Sequence, residues 1–335
     1  MKKIHVGIDI SKEKCNLCYR KGLEIVLEEE CPNDVKALKK TFKTAFKRLE
    51  VHIEDVLVCA EYTGRYIYPL TVVCQELDIF LWLDDPTRIK NSMGLTRGKN
   101  DRIDAVRIAE YAYRYDDKAV RYTMADEAFV SMKNLLADRE FLLIDKKRYQ
   151  SQLTDQKKYM APGDFKQKSS RWKKVLKVID RQIAAIDAEI ESIISADPVM
   201  TRQKELLKSI DGIGDRIAIN MIAITGGFTR FKDARHFCSF AGLTPYRYDS
   251  GTSIRSRAKI SKRSNQTMKA LLHMAAVSAA THLKEGEYKD YFERKTNEGK
   301  HVMCVLNVIR AKLVHRMFSV IRRNQPYTKE YKPVS

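Results

Sequence analysis

The stretch Gly98-Lys99-Asn100-Asp101-Arg102-Ile103-Asp104-Ala105 sets two carboxylates three residues apart where a helical pattern begins. The apolar stripe Ala105, Ile108, Ala109, Ala112 marks the face that packs inward. At 100° per residue Asp101 falls within the arc of that stripe and Asp104 at its edge. Two like charges turned toward a buried region are costly unless a cation shares the space. The plainer alternative makes Asn100 or Asp101 an N-cap and Asp104 a first-turn acid that favours the helix dipole. Two more acids sit inside apolar strand patterns, Asp9 in "VGID" and Glu61 in "VCAEYTG". Oxygen ligands of this kind suit Mg2+ or Mn2+, ions that bridge a phosphodiester and neutralise charge developing on its oxygens.

A second constellation surrounds Ser250 in "PYRYDSGTSIRSRAKISKRSN", where Arg247, Arg255, Arg257, Lys259, Lys262 and Arg263 crowd a Ser-Gly turn. No Asp or Glu occurs between Ser250 and Lys284. Arginines hold a phosphate bidentately and stabilise the charge that builds as a hydroxyl attacks it. A Ser-Gly pair is also an ordinary loop signal. Upstream, "LLKSIDGIGDRIAINMIAI" has the form of a helix-hairpin-helix element whose Gly212 and Gly214 either offer backbone amides to a phosphate or make a simple tight turn.

These residues need elements to hold them. Residues 4–10 alternate as a strand, and "KCNLCYRKG" with "LEIVLEEE" read as two more strands around a Lys-Gly turn. A helix runs from Asn33-Asp34 to about Leu49, then a buried strand at 55–64, a helix from about 66, the strand "DIFLWLD", and the helix carrying Asp101. The order βββαβαβα is that of a ribonuclease-H-like, RuvC-like α/β domain, expected over residues 1–120, in which acids from the first strand, the fourth strand and a late helix converge. Residues 121–198 are expected to be helical and to oligomerise. There Trp172, Leu176, Ile179, Ile183, Ile186, Ile190 and Ile193 follow a heptad seam that reads as a coiled coil bringing subunits together, although a packed hairpin within one subunit gives the same pattern. Residues 199–335 form a mostly α-helical third domain, ending in an amphipathic helix around 300–323 with Arg310, Lys312, Arg316, Arg322 and Arg323.

The charge is uneven. Of a net +19, residues 201–335 hold 26 Lys/Arg against 11 Asp/Glu, so the basic field lies in the last two-fifths of the chain and attracts polyanions, nucleic acid foremost. No run of 18 apolar residues occurs, and the first residues enter a strand pattern without a hydrophobic leader, so a cytoplasmic protein is expected. Seven cysteines show no framework spacing and are expected as thiols; Cys15 and Cys18 form a C-x-x-C with no second pair at zinc spacing, which a strand accommodates.

"HVGIDISKEK", "CAEYTGRY", "DPTRIKNSMGLTRGKNDRIDAVRIAEYA", "LKSIDGIGDRIA" and "FAGLTPYRYDSGTSIRSRAKISKRSN" resemble, in order and spacing, the DEDD-type serine recombinases of prokaryotic insertion sequences, a family that includes Piv-type DNA invertases and bridge-RNA-guided transposases. The resemblance covers nearly the whole chain. It implies that Asp9, Glu61, Asp101 and Asp104 are the metal-binding tetrad of a RuvC-like domain and that Ser250 is the catalytic serine. The implied reaction is cut-and-rejoin recombination: the serine attacks a DNA phosphodiester, leaves a 5′-phosphoserine link, and strands are exchanged and resealed. The metal site of one subunit is thought to complete the serine site of another, in a dimer or tetramer. Some members carry a structured guide RNA that pairs with target and donor DNA, so that base pairing reads sequence and protein reads backbone. Residues Tyr246 to Asp249 depart from relatives, which often carry other polar residues and a second serine there. The general base stays open between Tyr248 and a metal-bound hydroxide.

The alternative is a RuvC-like endonuclease in which water cleaves the strand and Ser250 only contacts phosphate. A non-catalytic nucleic-acid scaffold is a third class. An actin-like ATPase, suggested by "GIDISK", lacks a duplicated fold and a second phosphate loop.

Overall fold

The computed structural model describes residues 2–92, 101–123, 126–246, 249–250, 254–255, 259–260, 264–282 and 285–328; for residues 101, 246, 249–250, 254–255 and 259–260 it describes backbone alone. Contacts divide the chain into two compact units, residues 1–124 and 125–335.

The first unit begins with β1 (Ile4–Ile10), β2 (Lys14–Lys21) and β3 (Glu24–Pro32), an antiparallel meander. Gly22, with φ at +64°, supplies the left-handed turn between β2 and β3. Helix α1 (Val35–Arg48) is capped by the Asp34 carboxylate, which accepts from the Ala37 amide at 2.8 Å. Then come β4 (Val56–Glu61), α2 (Tyr68–Glu76), β5 (Phe80–Asp84), α3 (Pro86–Ser92) and α4 (Asp101–Arg114). The sheet order is β3-β2-β1-β4-β5, with β1, β4 and β5 mutually parallel.

Side-chain parity gives the sheet two faces. Val6, Ile8, Val58, Ala60 and Leu81 pack with Leu38, Phe42, Leu70 and Val73 of α1 and α2. Leu57, Cys59 and Trp82 face the other way, onto Ile108, Tyr111 and Ala112 of α4. Cys15 belongs to the first face and Cys18 to the second, so the C-x-x-C sends its two thiols to opposite sides of the sheet. Burial pushes both thiols up, to about 12 and about 11, and all seven cysteines are free.

The second unit opens on α5 (Glu127–Asp155) and α6 (Pro162–Ala196). They form an antiparallel hairpin, tied by Tyr149 against Trp172 with centroids 4.9 Å apart and by Arg139–Asp187 and Lys146–Asp180, each at 2.6 Å. The heptad seam of α6 thus meets α5 of the same chain. Ile190, Ile194 and Met132 at its base join the apolar core of the remaining helices, so the stretch expected as a separate region over 121–198 shares one core with the helices C-terminal to it.

That core is completed by α7 (Pro198–Lys208), α8 (Asp215–Thr225), α9 (Ala234–Phe240), α10 (Gln266–Val277), α11 (Glu287–Asn297) and α12 (Val302–Arg323), and among the described residues four two-residue strands lie between α9 and α10. The strands are β6 (Pro245–Tyr246), β7 (Asp249–Ser250), β8 (Ile254–Arg255) and β9 (Lys259–Ile260). Among the described residues no helix is long and apolar enough to cross a membrane. The basic row of α12 divides: Arg310 is buried and lies 2.8 Å from His273 Nδ1, Lys312 and Arg316 pair with Glu287, and Arg322 stays exposed.

Candidate active site

The acids of the first unit gather where the parallel strands end. Ile8 pairs with Ala60, so Asp9 and Glu61 are the next residues along neighbouring strands, about 5 Å apart at the backbone. By parity both lie on the face that α4 covers. Both are half-buried. Glu61 in turn stands in register with Asp84, the last residue of β5.

Helix α4 crosses this face antiparallel to β1. His5 meets the far end of the helix, its ring 5.4 Å from Tyr113. Gly7 meets the middle: a Cβ there would lie 2.1 Å from the Ala109 nitrogen and 2.3 Å from the Ala105 oxygen. One turn earlier the helix begins at Asp101, so its opening turn comes to the level of Asp9. Gly7 is therefore the residue that lets the backbone of α4 lie directly on the sheet. Asp104 is half-buried and accepts from Arg107 Nη1 at 2.8 Å. The side chain of Asp101 lies outside the described residues, and among those described no three of these groups close on a common point.

Asp84 is the residue that sequence reading missed. It is 7% exposed, its Oδ2 accepts from the Tyr111 hydroxyl at 2.7 Å, and its Oδ1 accepts from the Asp85 amide at 2.8 Å and lies 3.1 Å from Arg88 Nη1. A buried carboxylate so fully partnered is held in one orientation. The signal was present in "FLWLD", an acid closing an apolar strand as Glu61 does. The potential of the pair reaches Cys59, whose thiol is pushed well up by burial and then by Asp84 and Glu61.

In the second unit Ser250 lies on β7, its backbone paired with Ile254 of β8, while Asp249 pairs with Arg255. Lys259 pairs with Tyr246 across β6 and β9. The serine thus sits on a short antiparallel ribbon whose opposite strand carries Arg255. Arg247, Arg257, Lys262 and Arg263 lie outside the described residues. Helices α7 and α8 flank the turn that carries Gly212 and Gly214 and pack on each other. Gly212, φ +86°, packs against the end of α10 and the segment that follows it, where a Cβ would come within 3.1 Å of Ala279 Cβ and 3.2 Å of the Ala275 oxygen. Gly214 precedes α8, and Asp215 in its first turn pairs with Lys208 at 2.9 Å and Lys204 at 3.4 Å.

Comparison with known proteins gives two family matches. Residues 204–293 match the transposase family IS116/IS110/IS902, and residues 6–157 match a transposase family of the IS110 DEDD type. The pilin gene-inverting protein of Moraxella lacunata is 25% identical over 341 residues, covering 98% of this chain and 99% of that protein. The corresponding protein of Moraxella bovis is likewise 25% identical over the same span. An uncharacterized 44.8 kDa protein of insertion element IS116 from Streptomyces clavuligerus is 28% identical over 154 residues, 46% of this chain and 37% of its own length.

Proposed function

Since the chain belongs to the IS110/IS116/IS902 transposases, we propose that it is a DNA recombinase that cleaves and rejoins strands through a 5′-phosphoserine intermediate. The observation that carries the reading is the alignment of Asp9 and Glu61 at the ends of adjacent parallel strands, beneath a helix that opens on Asp101 and carries Asp104. The strand order with α4 across it supports a RuvC-like domain.

An all-carboxylate donor set fits a hard divalent cation, and the family implies dependence on one; we assign Mg2+ or Mn2+ to Asp9, Glu61, Asp101 and Asp104. When bound, the ion supplies charge neutralisation at the phosphodiester oxygens. Asp84, locked by Tyr111 and Arg88, lines the same strand ends and fixes the neighbouring Glu61 backbone, since the Asp84 carbonyl accepts from the Tyr62 amide at 2.9 Å.

Ser250 Oγ forms the new O–P bond as the bond to the 3′-oxygen breaks. The serine proton passes to a base, Tyr248 in its phenolate form being one candidate, and the departing 3′-oxygen takes up a proton from that base or from water. Attack by a 3′-hydroxyl on the phosphoserine reverses the sequence and reseals the strand. Arg255, opposite on the ribbon, and Arg247, Arg257, Lys259, Lys262 and Arg263 hold the phosphate and offset its developing charge. Amides around Gly212 and Gly214 contact backbone phosphate. A homo-oligomer, dimer or tetramer, and a guide RNA complete the reading, in the cytoplasm at the nucleoid.

A nicked suicide DNA substrate tests it. The wild-type chain is expected to accumulate a protein–DNA adduct that Ser250→Ala abolishes. Free cut ends from Ser250→Ala overturn the phosphoserine route and favour hydrolysis by a RuvC-like endonuclease.

A further inference from the structure

The second unit contains a groove of about 550 Å3 between the loop ahead of α9 and the last turns of α12, and none of the residues assigned to Ser250 chemistry is among those that line it. Its wall is aromatic. Phe228 meets Phe318 with centroids 5.0 Å apart, Phe318 meets Phe237 at 5.9 Å, and Phe237 meets Phe231 at 5.2 Å. Phe228, Phe231 and Phe318 are only half-buried, so part of each ring faces the groove. Phe228 is brought there by a left-handed backbone, φ +66°, directly after Gly226 and Gly227 at +59° and +63°. A bulky residue rarely adopts that conformation.

The rim is basic. Lys232, Arg235 and Arg322 line the groove, are exposed, and take part in no ion pair among the described residues. The one acid of the lining, Asp233, is engaged by His236, whose amide and ring nitrogen lie 2.9 and 2.8 Å from its Oδ1. Three unneutralised cations above an aromatic wall are complementary to a ligand that is anionic along one edge and flat and apolar along the other.

We propose that this groove binds an unpaired strand of DNA, with phosphates on Lys232, Arg235 and Arg322 and a base against Phe231 and Phe318. A duplex satisfies the rim alone, because its bases are stacked away from the wall; an unpaired strand satisfies both. The choice of DNA rests on the proposed function, whereas the groove's chemistry does not depend on the serine.

The test uses the full chain and fluorescence anisotropy with a 15-nucleotide oligo-dT, its 15-base-pair duplex, and a 15-nucleotide oligo-U. Lys232→Glu with Arg322→Glu, both exposed, is expected to weaken oligo-dT binding at least tenfold and to lower the slope of log K against log salt by about 1.4. Duplex binding is expected to fall by less. A 2-aminopurine placed in oligo-dT is expected to change emission on binding to the wild-type chain and not to Phe231→Leu. The proposal is overturned if the charge-reversed chain keeps its oligo-dT affinity, if duplex binding falls as much, or if oligo-U alone binds. A wild-type chain that yields no phosphoserine adduct sinks the serine reading and leaves this measurement intact.

Discussion

Replacing Gly7 by alanine inserts one methyl group where α4 lies on β1. The added carbon would stand 2.1 Å from the Ala109 nitrogen, 2.3 Å from the Ala105 oxygen and 2.7 Å from the Ala109 Cα, all backbone atoms. Ordinary contact begins near 3.4 Å, so helix and strand must separate by about 1.3 Å along that direction. No side chain can rotate to absorb it. Overpacking of this kind costs about 1–3 kcal/mol, and a rigid helix backbone places the cost toward the upper end. The same displacement lifts the opening turn of α4, with Asp101 and Asp104, from Asp9 and Glu61. A misplacement of about 1 Å at a catalytic constellation costs on the order of 100-fold in rate. Gly7→Ala is therefore expected to lower the urea midpoint and to slow DNA strand cleavage about 100-fold at saturating Mg2+. Gly163→Ala, in the first turn of α6 where an added Cβ meets nothing within 4 Å, serves as control and is expected to leave both unchanged or to stabilise slightly. If Gly7→Ala cleaves and unfolds like the wild type, α4 does not position the acids as argued.

Other outcomes rest on the same geometry. Tyr111→Phe removes the hydroxyl that donates to buried Asp84 and is expected to cost about 1–3 kcal/mol in urea unfolding, with Mg2+ titration of the folded protein reporting any loosening at Glu61. Asp9→Asn is expected to abolish cleavage while circular dichroism stays native, since the change is nearly isosteric; retained cleavage counts against the metal assignment. His5 is buried, and burial holds its pKa below 6.5 against the opposing pull of Asp116. The unfolded chain takes up the proton more readily, so stability is full above pH 6.5 and declines as pH falls through the mildly acidic range; His5→Phe is expected to flatten that decline in urea midpoints between pH 7.5 and 5.5. Asp233 is drawn from 3.8 to about 2, first by the His236 amide and then by its ring. Its cap on α9 is thus complete above pH 4 and lost toward pH 2, and Asp233→Ala is expected to remove this acid-range step from a thermal unfolding series.

Much of the candidate site was legible because apolar strands announce misplaced charge. Asp9 and Glu61 stand out in runs of Val, Ile, Leu and Cys, and the α4 stripe predicts which side of the helix turns inward. Asp84 obeys the same rule but is succeeded by Asp85-Pro86, which reads as a turn, so its burial beneath Tyr111 was hidden. The seam of α6 was also legible as a seam, although spacing alone does not distinguish a partner in another subunit from α5 in the same chain. On α12 the sequence reading named five bases without separating them, and the structure turns Arg310 inward to His273 while Arg322 borders the groove.

By itself the sequence determined the main elements of the first unit, the placement of acids in apolar strands, the basic excess of the last two-fifths and the basic surroundings of Ser250, because each arises from local periodicity or composition. Tertiary structure alone decided which carboxylates share a face, how closely α4 lies on Gly7, what covers the α6 seam, and which phenylalanines and cations border one groove. Those relations join residues distant in the chain, and packing rather than local pattern fixes them.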